Sequence, residues 1–236
     1  MTRSTRSQLV APDQEPAHLR LSVRQRAHLD LISSSQRLPA WTSIYDRGTP
    51  AAFVYQVREG VVSTFRTMRR GRPQVTGFLF ENDLFGLAVN GVYASSARSV
   101  TQVTVRRAPL DQLKALLLRE PELEYAFLCK LTAAVRRAQR HTIAVSRRSP
   151  VERVAMFMSM MEQSQAQLHD SAGVIDLPMS ERDIADFLQL SPAATRRGFR
   201  ELERESIIAP DIAHRIRIVD RAAFDKLLPD ALSEPV

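Results

Sequence analysis

The distribution of glycine divides the chain into two kinds of sequence. Six of the eight glycines in the 236 residues lie between about residues 37 and 107, where they punctuate stretches such as AAFVYQV, VVSTFRTM and SVTQVTV. Stretches rich in Val, Phe, Tyr and Thr between glycine turns are typical of antiparallel strands with short connections. We therefore predict a β-barrel or β-roll here, preceded by a short helix at about residues 22–32.

After Pro109 the sequence becomes helical, so the predicted fold class is α+β. The stretch from Glu122 to Arg148 carries a heptad seam with spacings of 3, 4, 3, 4 and 3. The seam consists of Leu128, Leu131, Val135, Ala138, Thr142 and Val145. A long helix with such a seam packs on a partner. Two packings remain open: the seam covers the chain's own β-roll, or it forms a parallel two-helix dimer interface.

A further helix is predicted to begin after Ser149, because Ser149 can cap it and Pro150 suits the first helical position. The four methionines in VERVAMFMSMMEQSQAQL are interpreted as core filling. The segment HDSAGVIDLP that follows is predicted to be a loop or linker.

Residues 178–205, PMSERDIADFLQLSPAATRRGFRELERE, are predicted to form two short helices joined by a three-residue turn. Ser180 can cap the first helix, and Ser191 followed by Pro192 can begin the second. Apolar residues fall on one face of the second helix and arginines on the other. This arrangement is typical of a helix-turn-helix, whose second helix presents donors to guanine edges and phosphates in the major groove.

The segments SIIAP and HRIRIVD are predicted to form two strands around Pro210 and Asp211, a wing beside the helix-turn-helix. Asp220 then caps a last helix that reaches Leu228. The predicted DNA-facing residues are Ser191, Ala193, Thr195, Arg196, Arg197 and Arg200 of the second helix and Arg215 of the wing. We expect Gly198 to cost the helix about 1 kcal/mol relative to alanine unless close approach to DNA requires it.

The charge of the chain supports a nucleic-acid interaction only through the positions of the basic residues. The chain carries 33 basic and 26 acidic residues, a formal charge of +7, which favours a polyanionic partner. From Pro178 to Leu228, however, nine basic residues are balanced by nine acidic ones, so this segment has no net charge. A nucleic-acid interaction therefore depends on which face carries the arginines.

Other functional classes find little support. A single cysteine, Cys129, excludes an internal disulfide and a multi-cysteine metal site, and favours a reducing cytoplasm. No nucleophile–base pairing, metal-ligand cluster or phosphate-binding glycine loop is present, so we predict neither an enzyme nor a cofactor. No run approaches the roughly 18 apolar residues of a membrane span.

The order of these elements resembles the Crp/Fnr superfamily of bacterial transcription regulators. GRPQVTGFLFENDLFGL, SRRSPVERVAMFM and LPMSERDIADFLQLS carry the resemblance and are closest to the FixK/Fnr-type branch. It implies a β-roll like a cyclic-nucleotide-binding domain at residues 21–120, a dimerisation helix at 121–148 and a winged helix-turn-helix at 149–236. It also implies a cytoplasmic homodimer that binds a palindromic promoter site and recruits RNA polymerase.

The chain departs from its relatives at several ligand positions. Cyclic-nucleotide-binding members use a Gly-Glu pair, whereas Leu87 follows Gly86 here, and the expected Arg-Ser pair falls near Ser96 with Arg98 displaced. We therefore expect no cyclic AMP binding, and the cysteine cluster of the iron-sulfur members is missing. Ala193 stands where relatives have glutamate, which predicts altered base selectivity.

An alternative to an effector-independent regulator remains open. In this alternative, DNA binding requires a small molecule held in the β-roll by Arg66, Arg98 or Arg106, or requires oxidation of Cys129.

Overall fold

The computed structural model describes residues 21–67, 73–88, 90–146, 149–165, 173–212 and 214–228. The helices in these residues are α1 (Val23–Ile32), α2 (Leu110–Leu117), α3 (Pro121–Val145), α4 (Pro150–Gln165), α5 (Glu181–Leu188), α6 (Pro192–Arg204) and α7 (Arg221–Asp225). The strands of the N-terminal half are β1 (Ser34–Leu38), β2 (Ser43–Tyr45), β3 (Phe53–Glu59), β4 (Val62–Thr67), β5 (Pro73–Leu79), β6 (Leu84–Phe85), β7 (Ser96–Ser99) and β8 (Val103–Pro109). The C-terminal strands are β9 (Val174–Asp176), β10 (Ile208–Pro210) and β11 (Arg215–Ile218).

The N-terminal strands form two antiparallel four-stranded sheets. One has the order β1-β8-β3-β6 and the other β2-β7-β4-β5. Positive φ angles at turn positions such as Gly48 and Gly60 allow the chain to reverse between strands, and Asn82 adopts a similar conformation with φ 70°. The predicted α+β class with an N-terminal β-roll is confirmed.

Aromatic side chains fill the space between the two sheets. The rings of Tyr45 and Tyr93 stack at a centroid distance of 3.8 Å, and Tyr55 stacks on Phe85 at 5.2 Å. Burial raises the pKa values of the Tyr45 and Tyr55 hydroxyl groups well above the usual range. The interior of the roll is therefore occupied by its own side chains.

Helices close one end of the roll. Ser22 and Gln25 form a capping box at the start of α1, and Leu29 of this helix is buried. Leu113 of α2 and Leu123 and Phe127 of α3 join the same apolar cluster. The beginning of α3 is thus anchored to the roll, and the rest of the helix leads away from this cluster.

The C-terminal half is built around α4. Ser149 and Glu152 exchange hydrogen bonds as a capping box, as expected from a Ser-Pro start. Phe157 and Met158 are fully buried, in agreement with the interpretation of the methionines as core filling. The core cluster around α4 also contains Val75 and Phe78 of the roll, so a single apolar interface joins the two halves.

The wing contains one strand more than the sequence predicted. β9 lies in the segment expected to be a loop or linker, yet it pairs with β11, which also pairs with β10. Ile175 of β9 is fully buried, and its neighbours are too few for the period-two pattern of a strand to be visible in the sequence. Asp220 caps α7 as predicted, although the helix ends at Asp225 rather than at Leu228.

None of the helices in the described residues is long and apolar enough to cross a bilayer.

Candidate nucleic-acid interface

Two helices and a left-handed turn form the helix-turn-helix. The Ser180 hydroxyl accepts a hydrogen bond from Asp183 N–H at the start of α5. Gln189 then takes a left-handed conformation with φ 54°, which ends α5 and redirects the chain. Ser191 Oγ accepts from Ala194 N–H, and Pro192 occupies the first turn of α6. The predicted start and end of both helices are confirmed.

The inner face of α6 packs on α4 and α5. Leu202 and Thr195 are fully buried, and Ala194 is nearly so. The prediction that Thr195 faces DNA is therefore wrong. Thr195 lies two turns before Leu202 on the buried side of α6, and its hydroxyl is enclosed without a hydrogen-bond partner among the described residues.

Gly198 is required by helix packing rather than by DNA. A Cβ atom at this position would lie 2.8 Å from Val154 Cγ2 and 3.0 Å from the carbonyl oxygen of Pro150. Such distances are shorter than carbon contacts in proteins, so any larger residue would push α6 away from the start of α4. The close approach that requires a glycine here is therefore that of α6 to α4.

The outer face of α6 carries the arginines. Arg196, Arg197 and Arg200 are all exposed. Within the part of the chain that the structure describes, Arg197 and Arg200 have no ion-pair or hydrogen-bond partner. These two guanidinium groups can therefore bind an external anion without first breaking an internal contact.

Arg196 differs from the other two arginines. Its Nη2 lies 3.0 Å from Oε1 and 3.1 Å from Oε2 of Glu181, at the beginning of α5. The carboxylate offsets the positive charge of this guanidinium. Ser191 and Ala193 are exposed at the N-terminal end of the same face, so the N-terminal turn of α6 is accessible there.

The wing adds basic residues beside this face. Arg215 is exposed, whereas Arg217 pairs with Asp211 at 3.3 Å. The Arg215 guanidinium has no partner among the described residues, and an exposed arginine at the start of β11 can contact a phosphate group.

The heptad seam of α3 does not pack on the β-roll. Leu128 is 55%, Leu131 38% and Val135 57% exposed. Ala138 and Thr142 are also exposed, and Val145 is half-buried. The first of the two packings considered from the sequence is therefore wrong: these side chains form an uncovered apolar stripe.

Two of the three arginines considered as effector ligands have carboxylate partners within the protein. Arg98 Nη2 lies 2.6 Å from Asp183 Oδ1, and Arg106 Nη2 lies 2.5 Å from Asp30 Oδ1. Arg66 is exposed on β4, and Cys129 is half-buried on α3. The three arginines do not converge on one cavity, because Arg98 faces α5 and Arg106 faces α1.

Two contacts across the chain were not predicted from the sequence. Arg98 and Asp183 are separated by 85 residues, and His141 stacks on Phe187 at 4.0 Å while its Nε2–H donates to the Phe187 carbonyl oxygen at 2.7 Å. Burial lowers the pKa of His141, and the hydrogen bond to Phe187 opposes this shift only in part. No local sequence pattern predicts such pairs, because they depend on how the two halves pack.

Comparison with known proteins agrees with this geometry. Residues 152–227 match the Crp-like helix-turn-helix domain, and residues 35–120 match the cyclic nucleotide-binding domain. The transcriptional activatory protein AadR of Rhodopseudomonas palustris is 30% identical over 187 residues, covering 78% of this chain and 77% of AadR. The nitrogen fixation regulation protein FixK of Azorhizobium caulinodans is 31% identical over 196 residues, covering 76% of this chain and 79% of FixK.

A solved structure extends the similarity to the whole arrangement. FixK2 from Bradyrhizobium japonicum matches with a TM-score of 0.76 and 26% identity, over 84% of this chain and 98% of FixK2. These relatives are transcription regulators rather than enzymes. The chain thus belongs to the Crp/Fnr family of DNA-binding transcription regulators and, within it, to the FixK-type branch.

Proposed function

We propose that the protein binds a palindromic promoter site as a homodimer, with one α6 helix in the major groove of each half-site. The observation that carries this proposal is the pair of unpartnered, exposed guanidinium groups of Arg197 and Arg200 on the outer face of α6. An arginine fork that is free of internal partners can bind guanine O6 and N7 in a bidentate manner and can also bind phosphates.

The uncovered stripe on α3 supports the homodimer. Leu128, Leu131 and Val135 together expose a row of large apolar side chains at heptad spacing. A second copy of the same helix offers the complementary surface, because an interface with twofold symmetry uses the same patch on both subunits. The dimer would carry two recognition helices, which must lie about 34 Å apart to reach successive major grooves.

The base contacts of the half-site should differ from those of the relatives. Ala193 offers only a methyl group where the resemblance leads one to expect a glutamate that accepts from cytosine, and Arg196 is held by Glu181. Losing one acceptor changes discrimination at one base pair by about 1–3 kcal/mol. We expect the selected half-site to be defined chiefly by guanines that meet Arg197 and Arg200.

The proposed regulator needs no ligand in the β-roll. The stacked rings of Tyr45, Tyr55, Phe85 and Tyr93 fill the interior of the roll, and Arg98 and Arg106 are already engaged with carboxylates. A ligand would have to displace these contacts before it could bind. Control by the amount of protein is then sufficient, and contact with RNA polymerase in the bacterial cytoplasm would complete the function.

Selection from a random DNA pool at fixed salt tests the proposal. We expect the purified, ligand-free protein to recover an inverted repeat with half-sites about one helical turn apart. Recovery of single half-sites would contradict binding as a homodimer. Recovery of DNA without a shared sequence would contradict sequence-specific binding.

The same purified protein distinguishes the proposal from the effector-dependent alternative. Full affinity without any additive, together with equal affinity of the wild-type protein under reducing and oxidising conditions, would support the proposal. Binding by the wild-type protein that appears only after oxidation and is lost in C129S would instead assign control to Cys129.

A further inference from the structure

Arg98 joins the β-roll to the helix-turn-helix. It lies on β7, and its Nη2 is 2.6 Å from Oδ1 of Asp183 in the first turn of α5. The Asp183 side chain is 7% exposed and that of Arg98 28% exposed. Most of this ion pair is therefore shielded from water. Electrostatic attraction is stronger in such a shielded position than at the surface.

The guanidinium group is held on several sides. Its central carbon lies 5.4 Å from the ring centroid of Trp41 and 5.3 Å from that of Phe65. Nε also donates to Ser63 Oγ at 3.4 Å. Cation–π contacts from two rings add to the ion pair and fix the direction in which Arg98 points.

Trp41 reaches its position through an uncommon backbone conformation. Its φ angle is 61°, a region that bulky residues rarely adopt, and its N–H donates to the Ser99 carbonyl oxygen at 3.0 Å. Backbone strain of this kind persists only where the surrounding structure enforces it. Here it places an indole ring, 53% exposed, against Arg98 at the boundary between the two halves.

The partner carboxylate is also fully engaged. Oδ2 of Asp183 accepts from the Ser180 hydroxyl at 2.8 Å, and Asp183 N–H donates to Ser180 Oγ at 3.1 Å. The residue that receives Arg98 is thus the residue that organises the N-terminus of α5. Any displacement of Arg98 acts directly on the start of the helix-turn-helix.

The other end of α5 is fixed by the same half of the molecule. Phe187 stacks on His141 of α3 at 4.0 Å and contacts the ring of Phe78 of β5 at 5.4 Å. Two attachments, one at each end of a short helix, determine its orientation as well as its position. Since α5 packs on α6, they also orient the recognition helix relative to α3.

We propose that Arg98 is a positioning residue for DNA binding: through Asp183 it holds the recognition helix in the orientation that the duplex requires, a role that an effector would otherwise fill. This inference rests on the proposed function and deepens it, because it names the contact that makes binding independent of a ligand. In the proposed complex, Arg98 itself does not touch DNA.

Full-length variants that remove the ion pair without removing bulk test the inference. Arg98→Gln deletes the charge, and Asp183→Asn keeps an oxygen that can accept from Ser180 while losing attraction for Arg98. Arg66→Gln on the adjacent strand β4 is the matched control, since Arg66 is exposed and has no partner among the described residues. Affinity for the selected duplex is measured across a series of salt concentrations.

We expect each ion-pair variant to bind about tenfold more weakly, because only a fraction of the molecules keeps the competent orientation. The double variant should be no weaker than the weaker single variant, as for two residues that act as one unit. The slope of log affinity against log salt should stay unchanged, because no phosphate contact is lost. Arg66→Gln should bind like the wild type.

Three results would overturn the inference: wild-type or tighter binding by Arg98→Gln, additive losses in the double variant, or a salt slope reduced by about one, which marks a direct phosphate contact.

A measurement without DNA separates this inference from the proposed function. Trp41 is the only tryptophan of the chain, so its emission reports on Arg98. Changed emission in Asp183→Asn supports the ion pair even if no duplex binds, and unchanged emission counts against it.

Discussion

The guanidinium group of Arg196 on the recognition helix lies 3.0 Å from a carboxylate oxygen of Glu181 on the preceding helix. The three arginines of the outer face are therefore not equivalent: one is neutralised by an acid, and two are free. A DNA phosphate or base that approaches Arg196 also approaches the negative charge of Glu181. In the proposed complex, Glu181 would thus restrain non-specific attraction beside the groups that bind DNA.

Replacing Glu181 with Gln should strengthen non-specific binding. The E181Q variant releases the positive charge of Arg196, so we expect the salt dependence of binding to random duplex DNA to steepen by about one counterion. Titration of random and selected duplexes over a salt series measures both slopes. The double variant E181Q/R196Q is the control and should return to a slope close to that of the wild type. An unchanged slope in E181Q would show that Arg196 stays outside the DNA contact.

Removing the free arginines should lower both affinity and selectivity. R197A would remove the proposed bidentate contact, and we expect it to weaken binding to the selected site by about 1–3 kcal/mol and to relax preference at one base pair. R204A is the matched control on the same helix, because Arg204 already pairs with Glu201 and Glu205. Selection from a random pool with each variant makes the comparison. Equal losses in R197A and R204A would indicate a general charge effect instead of a base contact.

A charge in the α3 stripe should dissociate the proposed homodimer. In V135E two carboxylates would face each other across the seam and lose water, so we expect the dimer dissociation constant to rise at least about tenfold. The Q139E variant places the same charge at an exposed position of α3 outside the seam. Sedimentation velocity at several concentrations measures the change. A V135E protein that remains as dimeric as Q139E would place the interface elsewhere.

Alanine at position 198 should destabilise the fold despite its higher helix propensity. The propensity gain of about 1 kcal/mol is opposed by overpacking of about 1–3 kcal/mol, and the atoms that Cβ would meet belong to a branched side chain and to backbone. Urea denaturation should therefore give a lower free energy of unfolding for G198A. The V154A substitution removes one of the clashing methyl groups, so its cost and that of G198A should not add. Stabilisation by G198A would refute the packing explanation.

Protonation of His141 should weaken the fold at acidic pH. Burial lowers the folded-state pKa below the ordinary value of 6.5, so the unfolded chain takes up this proton first as the pH falls. The contribution is present above the unfolded pKa and is lost progressively from about pH 6.5 towards the lowered folded value. Denaturation curves between pH 5 and 8 for the wild type and H141Q measure it. The pH dependence in this window should be smaller in H141Q, and equal dependence would exclude His141 as its source.

The sequence alone was sufficient wherever the signal is local. Ser149 with Pro150 and Ser191 with Pro192 place the beginnings of α4 and α6, because a hydroxyl acceptor and a fixed φ angle favour helix initiation whatever surrounds them. The heptad seam and the glycine turns are local in the same sense, and the family resemblance followed from the order of these elements. The position of the arginines around the helix axis also follows from periodicity.

Other features were decided only by the tertiary structure. Thr195 was expected to face DNA but is buried, because the width of the buried face of α6 depends on how closely α4 approaches it, and Gly198 permits that close approach. Strand β9 is stabilised by pairing with β11 and has too few residues to show a pattern of its own. The contact of Arg98 with Asp183 joins residues far apart in sequence, and such contacts form only when two separately patterned surfaces pack together.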